Sequence, residues 1–81
     1  MKIYDYKGRK NISGNRIREA RLKKRLSQAD FARLQIAGIT MERDSVSRIE
    51  IGTRFVADYE LMIIAEILDV TVDWLLSEDR E

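Results

Sequence analysis

Residues Met41 to Gly52 read MERDSVSRIEIG, and the projection of this stretch decides how the rest of the chain is taken. At 100° per residue with Arg43 as zero, Ser47 falls at about 40°, Asp44 at about 100° and Arg48 at about 140°. Ile49 falls at about 240°, Val46 at about 300° and Glu50 at about 340°. One arc carries Arg43, Ser47, Asp44 and Arg48, and the opposite arc carries the only aliphatic residues between Arg43 and Glu50. A helix this short is not stable alone in water. Val46 and Ile49 must anchor it, which leaves the polar arc turned outward. Two arginines on such an arc suit base-pair edges or another acidic partner. From these residues alone the solvated face of an ordinary helix is the better reading, and the remaining sequence has to overturn it.

The 81 residues are 44% hydrophobic and 36% charged, which fits one small folded domain with a single core. Cysteine and histidine are both absent. Disulfides, thiolate metal sites and the commonest general base are thereby excluded, and no metal, cofactor or enzymatic activity is expected. Ser13, Ser27, Ser45 and Ser47 have no histidine to activate them. No apolar run reaches membrane-spanning length, and the first residues lack a signal-peptide core, so a cytoplasmic location is expected.

The net charge of +1 conceals a division. Residues 1–54 hold 14 Lys/Arg against 6 Asp/Glu, a balance of +8, and residues 55–81 hold one Arg against 8 Asp/Glu, a balance of −7. This polarity suits a basic face for a polyanion and an acidic remainder, or two halves that complement each other.

Residues 1–14 read as a basic N-terminal arm, flexible or loosely docked, with Lys2, Lys7, Arg9 and Lys10 among Gly8, Asn11, Ser13 and Gly14. Such an arm suits phosphates or a minor groove. Helix one is expected from Asn15 to Arg25, with Ile17, Ala20, Arg21 and Lys24 on one stripe. Arg21 on an inward stripe requires a carboxylate partner. Ser27 and Asp30 form a capping-box pattern opening helix two, whose inward residues are Phe31, Leu34 and Ala37 and whose stop is Gly38. Gln28 stands just inside that start, beside unpaired backbone N–H groups that suit a phosphate. Ile39 is expected to be buried in the connection, Gly52 ends helix three, and Arg54 in the following loop is a further phosphate candidate. Helix four is expected from Asp58 to Leu68, with an acidic first turn and the stripe Leu61, Ile64, Ala65 and Leu68. Thr71 caps a fifth helix, Val72 to Leu76, and residues 77–81 are a polar tail. The reading is all-α with five helices, the domain proper spanning 15–76.

Leu26-Ser27-Gln28, Phe31-Ala32, Val46-Ser47-Arg48-Ile49-Glu50, Gly52, Ala65-Glu66-Ile67-Leu68, Val70 and Trp74-Leu75-Leu76 together resemble the Cro/phage-repressor-type helix-turn-helix family. The resemblance covers residues 15–76. It implies a lambda-repressor-like domain in which helices two and three form the helix-turn-helix and helix three enters the major groove. By the same resemblance Arg43, Asp44, Ser47 and Arg48 are base-facing, Gln28 contacts phosphate, and Arg21 and Glu50 form a buried structural ion pair. The chain departs from the family between Leu26 and Glu50, where it is a few residues longer, which leaves Thr40 and Glu42 as alternative caps of helix three.

The function expected is sequence-specific binding of double-stranded DNA by a transcriptional repressor or autoregulator. Lys10, Gln28 and Arg54 would set the register through phosphate. A single small module covers few base pairs, so a homodimer on a two-fold operator is expected, with Trp74, Leu75 and Leu76 as the candidate interface. Trp74 also suits closing the core over helix one. With no sensor domain after Glu81, control is expected from concentration, oligomerisation or a protein antagonist. The alternative is a protein-interaction module on the same fold, an antitoxin or adaptor, with the acidic half as its working surface.

Overall fold

Among the described residues, five short helices follow from where the apolar stripes meet capping residues. A computed structural model describes residues 5–34 and 41–77, and among these every regular element is helical. Their bounds are α1 Gly14–Lys23, α2 Gln28–Arg33, α3 Arg43–Ile51, α4 Asp58–Leu68 and α5 Val72–Leu75. The expected boundaries agree to within two residues, except at the end of α2. Helix α1 packs against α3, α4 and α5, and α2 packs against α3.

The caps act where the sequence places them. Ser27 Oγ accepts from the Asp30 amide at 2.9 Å and the Asp30 carboxylate accepts from the Ser27 amide at 3.3 Å, a reciprocal capping box. Thr71 Oγ1 accepts from the Trp74 amide at 3.0 Å. At α4, Glu60 reaches back to accept from the Ala57 amide at 3.0 Å.

Helices α1, α3 and α4 all close with a Schellman turn. In α1 the amides of Leu26 and Arg25 donate to Arg21 and Leu22 carbonyls. In α3 Thr53 and Gly52 donate to Arg48 and Ile49, and in α4 Val70 and Asp69 donate to Ala65 and Glu66. The turn requires one left-handed residue, supplied by Gly52 at φ 88°, Asp69 at φ 58° and Arg25 at φ 59°. Glycine meets that requirement without strain, whereas a side chain bearing a Cβ costs about 1 kcal/mol there.

The core joins Ile17 and Ala20 of α1, Phe31 and Ala32 of α2, Val46 and Ile49 of α3, Leu61, Ile64, Ala65 and Leu68 of α4, and Leu75 of α5. Four expectations are corrected. Leu34 is 45% exposed because the backbone has already left α2 for an extended conformation there. Lys24 is exposed because α1 stops at Lys23 and the stripe runs out. Leu75 is fully buried in the core, so it is withdrawn from the candidate interface. The arm is docked from Arg9 onward, through contacts given below. Ala37, Gly38, Ile39 and Thr40 lie outside the described residues, as does the tail beyond Ser77.

Candidate nucleic-acid interface

Helix α3 divides along its length as its projection requires. Val46, Ile49 and Glu50 are buried, while Arg43, Asp44 and Arg48 are exposed and Ser45 and Ser47 are half-buried. Among the described residues no hydrogen bond or ion pair engages the side chains of Arg43, Asp44, Ser47 or Arg48. Glu42 occupies the cap position without a side-chain cap bond. Its charge and that of Asp44 nonetheless suit the positive end of the helix.

The inner edge of α3 is fastened by a charge network. Arg21 Nε donates to Glu50 Oε2 at 2.6 Å, and Nη2 donates to Oε1 at 3.1 Å, with both residues at most 6% exposed. Arg21 Nη1 donates to the Leu26 carbonyl at 2.6 Å. Gln28 Nε2 donates to Glu50 Oε1 at 3.1 Å. Glu50 thus draws α1, the α1–α2 turn and the first turn of α2 onto one side of α3. Gln28, expected at a phosphate, is held by this carboxylate through one N–H and retains a second.

The far end of α3 is fastened by a residue the sequence reading did not single out. Asn11 Nδ2 donates to the carbonyls of Ile49 at 3.0 Å and Arg54 at 2.8 Å. Its Oδ1 accepts from the amides of Ser13 at 3.0 Å and Gly14 at 2.7 Å, which caps α1. An Asn two residues ahead of Ser-Gly is a local signal for the second pair of bonds. Nothing local signals the first pair, which spans about forty residues of chain. Gly14 is required by proximity, since a Cβ there would stand 2.8 Å from the Glu50 carbonyl and closer still to that of Ile49.

The arm continues this joint. Tyr6 and Arg9 pair across Lys7 and Gly8, and the Lys10 amide donates to the Gly52 carbonyl at 2.7 Å. The Arg9 guanidinium lies against Gly52, where its charge suits the negative end of α3. Lys10 is exposed, with its ammonium 5.6 Å from the centre of the Phe55 ring. The arm therefore presents Lys10 at a fixed place beside the C-terminal end of α3.

Arg54 is arranged differently from expectation. It donates to Glu60 at 3.2 and 3.1 Å and to the Phe55 carbonyl at 2.8 Å, holding the loop to α4 instead of standing as an open cation. Burial pushes the Glu60 carboxyl up, but the Arg54 hydrogen bonds, the Ala57 N–H and the Arg54 charge outweigh it and hold Glu60 below its ordinary value of 4.5. A depressed carboxylate adds stability that is complete above the ordinary value and is lost as pH falls through the folded-state value. Glu60→Gln is therefore expected to lower stability at neutral pH by on the order of 1 kcal/mol. The deficit should begin to shrink as pH falls past about 4.5 and vanish only once the lower folded-state value has been passed, as urea melts across that range will register.

At the other end of the domain, Arg16 stacks on Trp74 with its Cζ 4.6 Å from the ring centre, so the half-buried Trp74 packs on α1. Leu76 is exposed. Among the described residues no cluster of carboxylates could hold a metal ion, and no helix is long and apolar enough to cross a membrane. Comparison with protein-family models, with curated proteins and with solved structures returns no match.

Proposed function

We propose that this protein binds double-stranded DNA sequence-specifically as a transcriptional repressor or autoregulator. Helices α2 and α3 act as a helix-turn-helix of the Cro/phage-repressor kind, and α3 lies in the major groove. The observation that carries the reading is the outward arc of α3. Arg43, Asp44 and Arg48 are exposed and, among the described residues, unengaged on a helix whose other side is locked by Val46, Ile49 and Glu50. A rigid helix with an open arginine-bearing face is what base-edge readout needs. Arg43 and Arg48 read guanines, Asp44 orients Arg48 or accepts from a cytosine amine, and Ser47 contacts either. Lys10 and the second N–H of Gln28 hold phosphate, while Arg54 supports the loop.

The protein acts as a homodimer whose half-sites stand about 34 Å apart. With Leu75 in the core, Leu76 and the edge of Trp74 remain of the expected interface. The second reading, a protein-interaction module, is favoured by one observation. Tyr59 and Met62 are both more than half exposed, one turn apart on α4, beside acidic Asp58 and Glu66.

Titration of labelled random duplex at two salt concentrations separates the readings, because phosphate binding weakens steeply with salt. A chain that ignores duplex at low salt leaves the interaction module standing. On a duplex selected from a random library, Arg48→Ala should cost about 1–3 kcal/mol and relax preference at one base position. Lys10→Ala should weaken all sequences alike and lower the salt slope by about one. Equal losses on selected and random DNA for Arg48→Ala would remove its assigned role.

A further inference from the structure

Three helices end in the same turn, and each needs a left-handed residue. Gly52 provides it freely at α3, and aspartate at position 69 belongs to the short polar types that tolerate it. Arg25 does neither. Local electrostatics give no reason for it either, because Arg21 and Lys23 already place positive charge in the last turn of α1. Arg25 is exposed, and among the described residues its guanidinium has no hydrogen-bonding or carboxylate partner. An unfavourable backbone conformation held by a residue whose side chain does nothing within the fold directs attention to a partner outside it.

The turn is also fixed in place. The Leu26 amide donates to the Arg21 carbonyl, and the Leu26 carbonyl accepts from Nη1 of the same Arg21 whose Nε and Nη2 grip Glu50. Glu50 follows Arg48 by two residues on α3. Arg25 is thus mounted on a turn that Arg21 ties to the inner edge of α3, next to Lys24, which is also exposed. A planar guanidinium with five donors and no partner among the described residues matches phosphate oxygens.

The geometry points to Arg25 as a phosphate-contacting residue of the DNA interface, a role that rests on the DNA-binding reading above. It sets register and general affinity and carries no base preference. Its strained backbone is retained because the side chain works outside the fold.

The test compares the full chain with Arg25→Gly and Arg25→Lys, by anisotropy on selected and random duplexes and by thermal melts. Arg25→Gly removes contact and strain together, so its effects have opposite signs. The melting temperature should rise by about 4–8 °C. Affinity should fall by the same factor on both duplexes. The wild-type advantage should shrink roughly threefold between about 50 and 200 mM salt, as one lost phosphate contact requires. Arg25→Lys keeps the charge and should retain most of the binding. Arg25→Gly binding both duplexes as the wild type does, with the same salt slope, overturns the assignment. A loss confined to the selected duplex overturns it too, making Arg25 a base reader. Wild-type protein that ignores duplex at low salt overturns the DNA reading itself and this inference with it.

Discussion

Glu50→Ala should cost the fold about 3–5 kcal/mol, because it strands the Arg21 guanidinium in the interior. A small domain holds only about 5–15 kcal/mol in total, so this variant stands at the edge of unfolding. Three donors converge on Glu50, two from Arg21 and one from Gln28, and all lose their acceptor at once. Arg21→Ala should do comparable damage from the other side. The pair itself is a modest net contributor, since burying both charges is costly before their attraction returns anything. Replacing both together, Arg21→Met with Glu50→Leu, should therefore recover most of the loss. Urea melts of the wild type, Arg21→Met, Glu50→Leu and the two together close a double-mutant cycle. A single-substitution loss below about 1 kcal/mol would show that the network does not hold α3.

Leu75→Ala should cost about 2–5 kcal/mol, the range for truncating a fully buried leucine and leaving a cavity. That amounts to a fall of at least about 10 °C in melting temperature. Leu75 is 0% exposed, enclosed where α5 meets α1 and α4. Its loss should be the same at any protein concentration. A destabilisation that disappears on dilution would return Leu75 to a subunit interface. Leu22, 48% exposed on α1, serves as the control and should change stability little.

Periodicity and capping chemistry made most of the fold readable in advance. The box at Ser27 and Asp30, the cap at Thr71, the stop at Gly52 and the stripe of α4 are all local patterns, and local patterns survive folding. The division of α3 into inner and outer faces was legible for the same reason. Leu34 misled because periodicity cannot register where the backbone turns extended, one residue past the last turn of α2. Leu75 misled because an apolar residue at a chain end projects equally well onto a core or a partner. Arg54 carries no mark in sequence of the carboxylate six residues on that engages it. The Arg21–Glu50 pair was half legible: the stripe demanded a partner for Arg21, and only family resemblance named Glu50.

Asn11 joins two structures that a sequence reading treats as separate. When its amide lets go, the Ile49 and Arg54 carbonyls lose their donor in the same event that leaves the first amides of α1 uncapped. Opening of this corner should therefore be one cooperative event, with the arm and the last turn of α3 exchanging their amides together in a hydrogen-exchange measurement. The working unit accordingly begins before its first helix. A fusion joined ahead of residue 9 leaves the joint whole, whereas a boundary drawn at the start of α1 cuts through it.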